Sequence, residues 1–139
     1  MPPLLIGGGT TTLRRAAQYG DEWYPAFLSP AQLAADMRRL RELAGEHGRP
    51  PPGITINVMV GLGDLAPSVI DDQVGSPTVH GMTDAEARQA VITGNPPQAS
   101  ERFAELVEAG ADRIVGVPFT GDRRRQSDLL AEAARLVEM

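Results

Sequence analysis

The chain has 139 residues, 42% of them hydrophobic, which suffices for one well-packed domain and is too short for two of ordinary size. Its formal net charge of -5 gives no general attraction to nucleic-acid phosphates or acidic lipids, arguing against nucleic-acid and membrane-surface roles. The absence of cysteine excludes a disulfide framework, a thiolate nucleophile and a cysteine-ligated metal, and fits a cytoplasmic protein. At the N-terminus, Met1-Pro2-Pro3 leads into only three apolar residues, far fewer than the roughly 20 that a membrane span needs.

Leu4-Leu5-Ile6 is a short apolar run without alternation, as expected of a strand buried on both faces of a parallel sheet, and Gly7-Gly8-Gly9 ends it. Thr10 or Thr11 then caps a helix with Leu13, Ala16 and Ala17 on one face, and Gly20 sits where a left-handed residue would stop it. A second strand is predicted from Glu22-Trp23-Tyr24 to Phe27. In Ser29-Pro30-Ala31-Gln32 the chain carries an N-cap, a proline at the first helical position and a capping-box glutamine. Leu33, Met37, Leu40 and Ala44 give that helix its apolar stripe until Gly48 and Pro50-Pro51-Pro52 end it.

Ile54, Ile56, Val58 and Val60 alternate with Thr55, Asn57 and Met59, which predicts a third strand. From Gly61 to Met82 no period is sustained, and the stretch reads as a long irregular loop, with a lid as one option. Thr83-Asp84-Ala85-Glu86 is a capping box opening a short helix that ends near Ile92. Asn95-Pro96-Pro97-Gln98 caps a longer helix through Ala109, with Phe103, Leu106 and Val107 as its apolar face. Gly110 stops that helix, Arg113 to Val117 forms a fourth strand stopped by Pro118, and a last helix runs from about Arg125 to Val137.

The expectation is therefore a single domain of four strand-helix units with a parallel sheet, either open and doubly wound or a segment of a barrel. A full (β/α)8 barrel takes ~250 residues, so four units are about half of one.

The strongest chemical signal is the passage from Leu4 to Arg14. Glycines let the backbone approach an anion, the first helical turn directs N-H groups and the positive dipole end toward it, and Arg14 follows one turn in. The plain alternative is a tight turn rich in glycine for conformational reasons. The passage is neither a P-loop, which needs GxxxxGK[ST], nor a dinucleotide GxGxxG. His47 and His80 have no partner histidine at ligand spacing; His47 reads as a solvated helix end, and His80 as a loop residue that is exposed or reaches a substrate. Asp71-Asp72 reads as solvated charge or as part of a hard-cation site. Arg123-Arg124-Arg125 reads as surface charge or as a second anion grip. No Ser-His-Asp spacing argues for a triad.

Pro3 to Gly9, Leu13-Arg14-Arg15-Ala16-Ala17 and Gly20-Asp21-Glu22-Trp23, taken in order, resemble the luciferase-like monooxygenase family. The resemblance continues through Ser29-Pro30, Leu40-Arg41-Glu42-Leu43-Ala44, the run from Gly94 to Phe103, and Glu108-Ala109-Gly110-Ala111-Asp112. It covers nearly the whole chain and matches the C-terminal half of the family's barrel, from its fifth strand to its last helix. It implies a parallel (β/α)4 half of a TIM-type (β/α)8 barrel, bacterial-luciferase-like, and an oxidoreductase or monooxygenase using FMN or coenzyme F-420. It places cofactor-phosphate binding on Gly7, Gly8, Gly9, Thr10, Thr11 and Arg14, assigns no catalytic residue and no metal, and lacks the family's N-terminal half. Open strand edges imply a homodimer or pairing with a second half-barrel chain. The alternative is a non-catalytic half-barrel assembly or binding module.

Overall fold

The computed structural model describes residues 2–8, 10–26, 28–75 and 83–137, with the side chains of Thr10 and Asp84 also outside the description. The backbone divides into two compact units, Met1–Asn57 with Leu106–Val115, and Val58–Glu105 with Gly116–Met139.

The first unit opens with β1 (Leu5–Gly7), a single 3-10 turn (Thr10–Thr12), α1 (Leu13–Tyr19), β2 (Glu22–Tyr24) and α2 (Pro30–Glu46). It then enters β3 (Gly53–Leu62). β1 pairs in parallel with β2 through Leu5↔Glu22, Ile6↔Trp23 and Gly7↔Tyr24, and β2 with β3 through Glu22↔Gly53 and Trp23↔Ile54. An isolated parallel bridge joins Ala26 to Asn57. Helices between successive strands return the chain to the same end of the sheet, as parallel pairing requires. Leu13, Ala16 and Ala17 of α1, Leu33 and Leu40 of α2, and Trp23 are buried.

Local chemistry fixes the ends of these elements. Ser29 accepts the Gln32 N-H at 3.2 Å while Gln32 accepts the Ser29 N-H at 2.9 Å, the reciprocal capping box expected at α2. Arg49 donates to the carbonyls of Ala17 at 2.8 Å and Gly20 at 3.1 Å, satisfying acceptors at the end of α1. Asp112 closes the unit: its N-H donates to the Ile54 carbonyl, and its carboxylate accepts the Ile54 N-H, both at 2.8 Å.

The second unit holds the rest of β3, α3 (Pro67–Val74), α4 (Asp84–Ala90) and β4 (Val91–Gly94). It also takes most of α5 (Pro96–Ala109), the end of β5 (Arg113–Pro118), and α6 (Arg123–Val137). β4 lies parallel to β3 from Met59↔Val91 to Leu62↔Gly94. The Phe119 N-H donates to the Val60 carbonyl at 3.1 Å. The buried Gln126 amide clamps the end of β3, accepting the Leu62 N-H at 2.8 Å and donating to the Leu62 carbonyl at 2.9 Å.

Four expectations are corrected. Gly61 and Leu62 belong to β3 and Pro67–Val74 is helical, so the supposed irregular stretch is partly ordered, while residues 76–82 lie outside the description. α4 stops at Ala90 and Val91–Gly94 is a strand, giving five strands among the described residues where four were predicted. Gly20 is extended, φ -86° and ψ 151°, and is not a left-handed stop. Space explains this glycine, because a Cβ there would lie 3.0 Å from Ile6 Cγ1 and 3.1 Å from the Ala16 carbonyl oxygen. The last helix begins at Arg123, two residues before the predicted start.

Two substitutions separate a helix cap from a clamp on a strand end. Ser29→Ala is expected to cost about 1 kcal/mol through loss of the N-cap. Gln126→Leu strands the Leu62 N-H and carbonyl and is expected to cost about 3 kcal/mol. Urea unfolding checks both, and equal losses would contradict the assignment of Gln126 as a buried clamp.

Candidate functional site

The residues flagged as an anion turn lie where β1 passes into α1. Gly8 is held at φ +120°, a conformation that favours glycine, and its N-H donates to the Tyr24 carbonyl at 3.2 Å. That donor is therefore committed to the sheet. A Cβ at Gly8 would lie 2.7 Å from Thr12 Cγ2, so the turn has no room for a side chain there. A Cβ at Gly7 would meet only the Tyr24 carbonyl oxygen at 3.7 Å, an ordinary contact.

Gly9 and the Thr10 side chain lie outside the described residues. Thr11 and Arg14 are exposed, and so is Arg15. The cap position is neither of the predicted ones, Thr10 or Thr11: Thr12 occupies it, with helical φ -96° and ψ -1° and no capping bond from its side chain. The Thr12 hydroxyl oxygen instead accepts the Trp23 Nε1-H at 3.0 Å. Trp23 itself is fully buried, and a buried indole N-H needs an acceptor. Thr12 lies within the passage the sequence singled out, but its bond to Trp23 was not legible, since it joins residues eleven apart with no motif between them.

A second arrangement lies on the first unit's sheet. Trp23 and Ile54 are paired and both buried on one face. Alternation puts Glu22, Tyr24, Thr55 and Asn57 on the other. The Thr55 hydroxyl donates to Glu22 Oε1 at 2.9 Å, and Asn57 Oδ1 is buried with no hydrogen-bond partner among the described residues. Parallel strands are ordinarily apolar on both faces, so four polar residues on one face need a reason beyond packing. The alternation of Thr55 and Asn57 with Ile54 and Ile56 was the sequence signal for this face.

The remaining candidates are structural. His47 is exposed at the end of α2, as expected, and His80 lies outside the description. Asp71 accepts from Arg88 at 2.7 Å, tying α3 to α4, and no group of three metal-ligating side chains occurs among the described residues. Asp122 Oδ1 accepts the Arg124 N-H at 2.9 Å, placing a carboxylate at the start of α6 where an anion under Arg123-Arg124-Arg125 would have sat. No helix among the described residues is long and apolar enough to cross a membrane.

Comparison of the sequence with known protein families and with curated proteins finds no match. Comparison with solved structures finds many. An F-420-dependent secondary alcohol dehydrogenase in complex with an F-420-acetone adduct superposes with a TM-score of 0.83 at 14% identity, covering 99% of this chain and 49% of that one. The coenzyme F-420 dependent tetrahydromethanopterin reductase from Methanopyrus kandleri gives 0.72 at 18% identity, over 92% and 48% of the two chains. EDTA monooxygenase from Chelativorans sp. BNC1 gives 0.71 at 13% identity, over 99% and 44%.

The fold is that of luciferase-like TIM-barrel proteins. The chain spans about half the length of these structures. Its parallel α/β organisation agrees with the half-barrel class expected from the sequence. At the turn itself, the Thr12 side chain fills the space beside Gly8, and the exposed Arg14 follows on α1.

The two described glycines of the turn should respond differently. Gly8→Ala meets both the positive φ and Thr12, and is expected to cost about 2 kcal/mol or more. Gly7→Ala meets an ordinary contact and is expected to cost under about 1 kcal/mol. Thermal melts of the two variants make the comparison, and a Gly7 variant as damaged as the Gly8 variant would contradict the geometry.

Proposed function

We propose that this chain is the C-terminal half of a luciferase-like barrel that acts as a flavin- or deazaflavin-dependent oxidoreductase or monooxygenase. Its part is to grip the cofactor phosphate at the turn between β1 and α1. The observation that carries this reading is the turn itself: a glycine at positive φ, closed to side chains, standing at a helix start within a fold shared with F-420-dependent enzymes.

In this reading Gly7, Gly8 and Gly9 let the phosphate approach the backbone, and Thr10 and Thr11 contribute N-H groups and hydroxyls. The dipole of the first turns favours the negative charge, and Arg14 adds a full positive charge one turn in. The Gly8 N-H is excluded from this role because Tyr24 already takes it. The polar face of Glu22, Tyr24, Thr55 and Asn57 is assigned to the bound small molecule, whose donor groups would meet the unpartnered Asn57 oxygen. The cofactor, FMN or coenzyme F-420, supplies the redox chemistry when bound, and these residues supply binding and orientation.

Because the chain spans about half of the structures it matches, the proposed activity belongs to an assembled barrel. The other half would come from a second copy, from a partner chain or from further residues of the same polypeptide, any of which would cover open parallel strands.

Titration with FMN and, separately, coenzyme F-420 tests the reading by following cofactor absorbance and fluorescence. One of the two is expected to bind more tightly than its phosphate-free counterpart, riboflavin for FMN and the ribityl deazaflavin for F-420. Arg14→Gln should weaken that phosphate preference about tenfold and flatten its dependence on salt. Absence of binding by both cofactors would remove the basis of the proposal.

A further inference from the structure

Among the described residues, Asn57 holds the buried side-chain polar atom that nothing satisfies, its Oδ1. Its nearest neighbours on the sheet cannot donate to it. Thr55, two residues earlier on the same face, gives its hydroxyl proton to Glu22 Oε1 at 2.9 Å. The residue bridged across from Asn57 is Ala26, whose side chain is a methyl group. The Asn57 backbone N-H is itself given to the Pro25 carbonyl at 2.9 Å, so the main chain is satisfied and the amide is what is left over.

An unmet acceptor of this kind costs more than an ordinary hydrogen bond contributes, whereas an apolar side chain at the same place carries no such penalty. Ile54, Ile56, Val58 and Val60 of the same strand are buried and apolar, so the amide is an exception within its own element. Turning it over would enclose the NH2 group in place of the oxygen, and neither orientation removes the deficit. Asn57 as a residue is half-buried, which leaves part of it open to a group from outside the fold.

A free primary amide is satisfied best by a donor and an acceptor side by side. It offers N-H and C=O on one planar edge and pairs with both at once, as Asn does on the edge of adenine. A hydroxyl meets one end of it. A cyclic imide carries an N-H flanked by two carbonyls and therefore complements the amide in either orientation. FMN and coenzyme F-420 share this edge on their pyrimidine ring. We infer that Asn57 is a cofactor-binding residue whose side-chain amide pairs with the imide edge of the flavin or deazaflavin ring. This rests on the cofactor reading given above, and it adds a residue and a ligand group that the phosphate turn does not involve.

Methylation of the imide nitrogen removes the donor and leaves ring, ribityl chain and phosphate in place. Titration of the full chain, followed by cofactor fluorescence, is expected to show FMN binding about tenfold more tightly than its imide-methylated derivative. In Asn57→Leu the two should bind alike, while the preference for FMN over riboflavin, read at the other end of the cofactor, should persist. The variant is also expected to melt no lower than the wild type, because it removes a polar group without a partner. F-420 and its imide-methylated derivative serve the same purpose if F-420 is the cofactor that binds.

An amide retained for the packing of the fold predicts the reverse: Asn57→Leu melts lower, and the difference between the methylated and unmethylated rings survives it. Either result would overturn the role of Asn57. So would a wild-type chain that binds the two rings equally, a measurement that needs no variant and stands if Asn57→Leu fails to fold. A preference for FMN over riboflavin without discrimination at the imide removes the pairing and leaves the cofactor reading in place. A chain that binds neither flavin nor deazaflavin overturns both.

Discussion

The register of β1 on β2 is the constraint on which the site depends. Gly7 stands opposite Tyr24 and Ile6 opposite Trp23, so the two residues of β2 that close the turn are set by strand pairing. One takes the Gly8 N-H on its carbonyl, and the other gives its indole N-H to Thr12. A slip of one residue would exchange the faces of Trp23 and Tyr24, exposing the indole and burying a phenol. The burial that keeps Trp23 inside also fixes where its indole N-H meets the Thr12 hydroxyl.

How much of this was legible follows from how local each signal is. The start of α2 is written within four residues, Ser29 to Gln32, and the structure forms that capping box as read. The strand from 54 to 60 was legible because β-branched residues alternate without interruption. β4 was not, because Val91–Gly94 follows Ala90 with no glycine or proline between them, and α4 passes directly into an extended backbone. α3 was not, because Ala66 offers no capping side chain and its buried contacts are few, Val74 packing with Ala87 and Ile70. At Gly20 the sequence suggested conformation where the structure shows space, the glycine admitting Ile6 against α1.

The turn proposed for an anion was visible in the sequence as composition, and its geometry was not. Three glycines, three threonines and an arginine mark a place suited to negative charge. They do not show that Gly8 has already given its N-H to the sheet, or that Thr12 is bound to a tryptophan eleven residues on. Both facts are tertiary, and both narrow the donor set. The polar face of β2 and β3 follows the same pattern: Thr55 and Asn57 were visible as an alternation, but only the pairing with Glu22 and Tyr24 turns alternation into a surface.

Self-satisfaction separates the helix starts that stabilise from the one that is read as a site. Where Ser29, Thr83, Asn95 and Asp122 accept a first-turn N-H, an incoming anion must break a bond before it makes one. Prolines at the first position of α2 and α5 remove a further donor. These ends are closed by their own sequence. At α1 the residue in the cap position is bound elsewhere, no proline intervenes, and a glycine with no room for a side chain stands four residues before it. A basic cluster alone does not reverse this ordering: Arg123-Arg124-Arg125 brings three positive charges to α6, yet its first turn already has Asp122 for an anion.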